Sequence, residues 1–246
     1  MTKTLLFLSV LLIYITSECN KQIEKQNCLS AQRFNIFDYN ISKYKVKDYF
    51  PYQLDRYSGE IKKFGIKDSI NMPDSGIIVF AGSSSIRKWK NLEKLYKQYK
   101  AINRGFGGST YPELIYYSDE VIFKYQPSKI VIYEGDNDQY ILTPYQIYEN
   151  VCYLAHLIHK KLPKSKILFL SVKPAPSRIK YVKSMAMTNV YIKHYCSIDS
   201  LAEYIDIWTP MFDKTGIRKD IFLKDSLHLN KKGYKIWDSV IRPYLR

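Results

Sequence analysis

Three consecutive serines, Ser83, Ser84 and Ser85, stand in the block Phe80-Ala81-Gly82-Ser83-Ser84-Ser85-Ile86, just after the apolar run from Gly76 to Phe80. A hydroxyl where a strand gives way to a turn and helix is well placed to be a nucleophile. It is weak at neutral pH, however, and needs a neighbouring base. Taken alone, such serines serve equally as turn residues or helix N-caps. A base is offered near the other end of the chain in Phe222-Leu223-Lys224-Asp225-Ser226-Leu227-His228-Leu229-Asn230. Asp and His three apart allow a turn to press the carboxylate against one imidazole nitrogen, leaving the other free to take a serine proton. The chain has four histidines, and only His228 has an acidic residue three positions earlier in a loop before a terminal helix.

Two further loops carry groups that answer developing negative charge. Asn103-Arg104-Gly105-Phe106-Gly107-Gly108-Ser109-Thr110 packs three glycines into a loop entering a helix, where a backbone N–H can approach a ligand closely. The dinucleotide glycine spacing is not matched, and the Lys-Ser/Thr pair of a P-loop is missing. Tyr133-Glu134-Gly135-Asp136-Asn137-Asp138 offers the Asn137 amide as a second donor. Read alone, this is turn chemistry, and its carboxylates cap a helix as readily as they bind a metal.

The elements that must position these groups alternate. β-Branched runs at Gly76 to Phe80, Lys100 to Asn103, Lys129 to Tyr133, Lys166 to Ser171 and Glu203 to Ile207 predict strands buried on both faces. Amphipathic stretches at about Asn91 to Tyr99, Tyr111 to Tyr125, Pro144 to Lys161, Tyr181 to Ser197 and Lys231 to Ile241 predict helices. Strand then helix, repeated, predicts an α/β domain of three layers around a parallel sheet. Ligands then bind beyond the carboxyl ends of the strands, which is where the Ser84, Gly108 and Asn137 loops fall.

The order of the four segments resembles the SGNH, or GDSL-like, hydrolase family, from about Ile77 to Tyr244. Ser171-Val172-Lys173-Pro174 after the fourth strand adds to the likeness. The resemblance implies a three-layer α/β/α, flavodoxin-like fold with five parallel strands. By motif position it implies Ser84 as nucleophile, His228 as general base and Asp225 as the acid that orients it. It also implies an oxyanion hole formed by the Ser84 N–H, Gly108 and Asn137. No metal or organic cofactor is implied. Ser83 stands where the family usually carries an acidic residue. The implied activity is hydrolysis of a carboxylic ester through an acyl-enzyme, with O-acetylated carbohydrates and lysophospholipids as candidate substrates. Transfer of the acyl group to a sugar hydroxyl uses the same machinery. A non-catalytic binder of anionic glycan or membrane surfaces is the reading from a different class.

The 246 residues bury a good-sized core in a single domain. Lys3 followed by an apolar run from Leu5 to Ile15 is too short to span a bilayer and reads as an export signal over residues 1–18. Cys19 sits where a bacterial lipoprotein carries its acylated cysteine, although Glu18 replaces the usual small residue before it. The expectation is an exported protein, either periplasmic, anchored to the outer membrane through a lipidated Cys19, or secreted. Residues 19–46 read as a polar tether and 47–246 as the hydrolase domain. The net charge of +15 is spread along the chain, so it is read as composition, and no nucleic-acid partner is expected. Cys152, His156 and His159 share one side of a helix at metal-ligand spacing. Val151, Leu154, Ala155 and Ile158 form the core stripe beside them, which places the trio at its flank.

Overall fold

In the sheet, the short run Ile78–Gly82 (β1) is an interior strand, buried on both faces as its Ile-Val-Phe-Ala sequence demands. A computed structural model describes residues 54–246, of which 54–213 and 217–246 belong to one compact body. The expected signal, tether and Cys19 lie outside the described residues. β1 is joined by Ala101–Gly105 (β2), Lys129–Tyr133 (β3), Lys166–Leu170 (β4) and Ala202–Ile205 (β5). The order is β2-β1-β3-β4-β5 and every pairing is parallel. This is the doubly wound arrangement in which the order reverses beside β1, opening a crevice at the carboxyl ends.

Period-two alternation divides the strand side chains between two helical layers. Ile78, Phe80, Val131, Tyr133, Leu168 and Leu170 pack into one buried cluster with Trp237 and Ile241 of the terminal helix Lys231–Ile241 and with Ile86, Trp89 and Leu92. Each fully buried aliphatic or aromatic side chain there contributes roughly 1.5–3 kcal/mol. On the other face Phe169 meets Tyr195 edge to face, on the helix Val182–Ile198, which packs beside the helix Pro144–Lys161. In Pro144–Lys161 the buried stripe is Ile147, Val151, Leu154, Ala155 and Ile158.

Three helical expectations change. Tyr111 to Tyr125 is not one helix but Tyr111–Tyr116, Ser118–Val121 and a 3₁₀ turn at Phe123–Tyr125. The first break coincides with Ser118 Oγ donating to the Ile115 carbonyl at 2.8 Å, a local bond that competes with the helical ladder. Asn91 to Tyr99 is likewise only Leu92–Leu95 and a 3₁₀ turn at Lys97–Tyr99. A helix not expected from the sequence covers Ser58–Ile70, burying only Ile61 and Asp68. It is fastened by polar contacts: Asp68 pairs with the buried Arg104 of β2 at 2.6 Å and accepts from the Tyr125 hydroxyl at 2.5 Å.

β1 ends in a close approach. Gly82 has φ +127°, and a Cβ placed on it would lie 2.0 Å from the Tyr133 carbonyl oxygen of β3. Replacing Gly82 by alanine is therefore expected to cost roughly 2–5 kcal/mol, from left-handed strain plus overpacking against backbone. Urea unfolding measures this, and an unchanged midpoint would show that the strand ends relax without cost.

Candidate active site

Immediately after Gly82 the chain turns. Ser83 donates its N–H to the Tyr133 carbonyl and its own carbonyl accepts from Ile86 and Arg87, starting the single helical turn Ser84–Arg87. Ser83 and Ser85 are each only 1% exposed, whereas Ser84 is partly open. Ser84 Oγ lies 3.1 Å from His228 Nε2, and the backbone N–H of Ser84, at the first helical position, has no acceptor among the described residues. Of the three adjacent serines, Ser84 is thus the one that meets the imidazole.

The imidazole is presented by a tied loop. Phe222 and Leu229 pair as an antiparallel bridge, and Leu223 N–H donates to the His228 carbonyl at 2.7 Å. Between them Ser226 takes a left-handed φ of +55°. Asn230 then caps the terminal helix, accepting from Lys232 and Gly233 while donating to the Phe222 carbonyl. Within this loop Asp225 Oδ2 lies 2.6 Å from His228 Nδ1, and its Oδ1 accepts the N–H groups of Leu227 and His228. Burial opposes the Asp225 carboxylate, but these hydrogen bonds from the His228 ring and the two N–H groups outweigh it and hold the carboxyl well below its usual range.

With Nδ1–H donating to Asp225, Nε2 is the acceptor facing Ser84. Lys88 Nζ stands 3.2 Å from the same Nδ1. A lysine only donates, so bonding there would demand the opposite tautomer, and the shorter contact to the anchored Asp225 disfavours it.

The two oxyanion candidates sit at the ends of the strands flanking β1. The Gly108 Cα carries hydrogens that face Asn137, since a Cβ there would lie 3.6 Å from Asn137 Nδ2. Asn137 Nδ2 donates to the Ser109 carbonyl at 2.9 Å, and its Oδ1 accepts from Arg178 at 2.8 Å. The Gly108 N–H differs from expectation: it donates to the Tyr57 hydroxyl at 3.1 Å. Tyr57 reaches it because Gly107, at φ +44°, has no side chain to hold off the ring.

The chain belongs to the GDSL-like lipase/acylhydrolase family. The family's model matches residues 75–236, which include the Ser84 turn, both Gly- and Asn-bearing loops and the Asp225–His228 loop. Comparison with curated protein sequences gave no match. Among the solved structures that share the fold, three illustrate the likeness. A Streptococcus pneumonia protein provisionally assigned as a platelet activating factor is 21% identical, covers 78% of this chain and 94% of its own, and superposes with a TM-score of 0.69. A GDSL-like lipase of Bacteroides thetaiotaomicron is 20% identical over 78% and 98%, with a TM-score of 0.66. An acetylxylan esterase of Geobacillus stearothermophilus is 13% identical over 70% and 95%, with a TM-score of 0.56. Family membership carries an esterase or acylhydrolase activity in general.

The GDSL-like site rests on buried carboxyl groups that the sequence offered as caps or metal ligands. Asp138 accepts the N–H groups of Tyr111 (2.9 Å) and Gly135 (3.1 Å), and Glu134 accepts from Ser109 Oγ at 2.5 Å. Among the described residues no group of three His, Cys, Asp or Glu side chains is placed to hold a metal ion. His159 instead meets Asp199 at 2.6 Å, and His156 is exposed. Sequence reasoning missed Tyr57, Lys88 and Arg178. Lys173 was visible only as part of the fourth-strand loop.

Burial pushes the Asp138 carboxyl up to about 7, although the Tyr111 and Gly135 N–H groups pull the other way. An unfolded Asp releases its proton near 4 while the folded one keeps it until about 7, so this group's contribution to stability falls as pH rises between those values. Asp138→Asn is expected to flatten the decline in stability across pH 4–7 relative to the parent. Chemical unfolding at a series of pH values tests this, and identical slopes would count against a retained proton.

Proposed function

We propose that this chain is a serine ester hydrolase in which Ser84 attacks the ester carbonyl, His228 takes its proton and Asp225 holds the imidazole in the productive tautomer. The supporting observation is the continuous path from Asp225 Oδ2 through His228 to Ser84 Oγ, at 2.6 and 3.1 Å. The catalytic mutants of the similar acetylxylan esterase fall on one serine, one aspartate and one histidine, the last two also three positions apart.

In the first step the Ser84 oxygen bonds to the carbonyl carbon and its proton passes to His228 Nε2. The carbonyl oxygen becomes an oxyanion that takes the Ser84 N–H and the remaining Asn137 N–H, and the Gly108 N–H once the Tyr57 hydroxyl is displaced. Collapse of the intermediate expels the alcohol, which receives the proton from His228. Water then attacks the acyl carbon and gives its proton to His228, and as the carbon–Ser84 oxygen bond breaks to release the acid, His228 returns that proton to Ser84 Oγ.

An O-acetylated carbohydrate is the favoured substrate, in keeping with the acetylxylan esterase likeness and with the export signal read in residues 1–18. We place the protein outside the cytoplasm, with Cys19 as its candidate lipid anchor. Hand-over of the acyl group to a sugar hydroxyl, lysophospholipid hydrolysis and anionic-surface binding without catalysis are the rival outcomes.

A panel of acetyl, butyryl and long-acyl aryl esters, acetylated xylo-oligosaccharides and a lysophospholipid tests the proposal. Acetyl esters are expected to lead. Ser84→Ala should abolish turnover, while Ser83→Ala and Ser85→Ala keep measurable hydrolysis. Inertness towards every ester and towards an organophosphorus probe, with salt-dependent binding to acidic polymers, would leave the binder reading standing.

Truncating Asn137 to alanine should lower kcat by about two to three orders of magnitude, the scale of one oxyanion donor. Tyr57→Phe should act in the opposite direction. Freeing the Gly108 N–H from an ordinary hydrogen bond, worth about 1 kcal/mol, raises kcat/KM roughly fivefold. Steady-state kinetics on one acetyl ester read both effects. A loss on removing the Tyr57 hydroxyl would make it a participant instead of a competitor.

A further inference from the structure

An Asn side chain is nearly symmetric in shape and opposite in polarity at its two ends. Turned by half a rotation, Asn137 would present a carbonyl oxygen where the proposed mechanism needs a donor. Its two partners forbid that rotation. The Ser109 carbonyl only accepts, so it takes an Asn137 Nδ2 proton at 2.9 Å. The Arg178 guanidinium only donates, so it takes Asn137 Oδ1 at 2.8 Å. One Nδ2 proton is left over, and it is the one free to meet a substrate oxygen.

Arg178 is itself fixed. It is 5% exposed, and its Nη1 donates to both the backbone carbonyl of Asp136 and, at 2.7 Å, Asp136 Oδ1. The other carboxylate oxygen of Asp136 takes the wholly buried Lys173 ammonium and, at 3.1 Å, the Tyr133 hydroxyl. The guanidinium lies 4.7 Å above the Tyr140 ring. Its Nε, in contrast, is buried without an acceptor among the described residues. This arginine therefore forgoes part of its own hydrogen bonding while its planar fork spans an aspartate and the neighbouring asparagine amide.

We propose that Arg178 is the positioning residue of the oxyanion hole, locking the Asn137 amide with its N–H towards substrate. This rests on the serine-hydrolase reading of the same site. Lysine at 178 keeps a positive charge but lacks the fork that reaches Asp136 and Asn137 together.

The test is a double-mutant cycle on an acetyl aryl ester using Arg178→Lys, Asn137→Ala and the pair. Arg178→Lys alone should lower kcat at least tenfold with KM within about twofold. In the Asn137→Ala background the same change should lower kcat less than twofold, because the amide it positions is gone. Losses that multiply would overturn the proposal, since Arg178 would then act independently of Asn137. Arg178→Gln, which can still donate to Oδ1, is expected to fall between parent and lysine variant, and it supplies the cycle if the lysine variant does not fold.

A readout free of catalysis separates this proposal from the serine-hydrolase reading. Hydrogen exchange of the Asn137 side-chain amide, followed by ¹⁵N NMR, should quicken at least tenfold in the Arg178 variants. Unchanged exchange overturns the positioning role even in an active enzyme. An inactive parent with quickened exchange in the variants would sink the hydrolase reading alone.

Discussion

A hydrogen bond of 3.1 Å joins Ser84 to His228, residues 144 positions apart in the chain, and the molecule is arranged around making that contact. Closing so long a loop costs conformational entropy that one hydrogen bond does not return. The cost is met by packing beneath it. The terminal helix presses Trp237 onto Tyr133 of β3, with ring centroids 4.9 Å apart, and stacks Tyr234 on Trp89 at 5.0 Å. The Tyr234 hydroxyl also donates to the Ser85 carbonyl at 2.9 Å, so the helix that follows His228 is tied to the turn that carries Ser84. Aromatic burial thus holds the two ends in register.

The same logic explains the tightness of β1 and β3 at Gly82. Because Gly82 runs against the Tyr133 carbonyl, Ser83 can donate to that carbonyl, and the Ser84 turn begins from a fixed point on the sheet. The loop after β3, which begins one residue beyond Tyr133, carries Asn137 from that same point. Ser84 and Asn137 are therefore referred to one strand pair, which keeps their separation insensitive to movement elsewhere.

How much of this the sequence disclosed depended on whether the determining contacts were local. The five strands were legible because burial on both faces requires unbroken β-branched runs, as in Lys129-Ile130-Val131-Ile132-Tyr133. Asp225 and His228 were legible because their contact spans three residues and needs only a turn. The helix Ser58–Ile70 was not, since its attachment runs through the Asp68–Arg104 ion pair and not through an apolar stripe. Arg178 was equally hidden: it sits in a short polar turn, and its partners Asp136 and Asn137 are 42 and 41 residues away. Tyr57 left no mark in the pattern because an aromatic residue ahead of the first strand reads as core, whereas its hydroxyl ends on the Gly108 N–H.

The buried charges beneath Asn137 bear on why such a network persists. Replacing a buried ion pair by apolar residues of similar volume is often neutral or stabilising, so stability alone gives little reason to enclose Asp136, Lys173 and Arg178 together. Burial by itself would raise the Asp136 carboxyl, yet the two cations and the hydrogen bonds from Lys173 and Tyr133 bring it below its ordinary value, which keeps it anionic. An anion fixed in that place is what aligns the Arg178 fork, and the fork is what gives the neighbouring amide a single orientation. An apolar core would fill the space as well but could not distinguish one end of an amide from the other. Directionality, which only polar contacts supply, is then the property this cluster contributes, and it is the property that the proposed oxyanion hole requires to meet charge that exists only in the transition state.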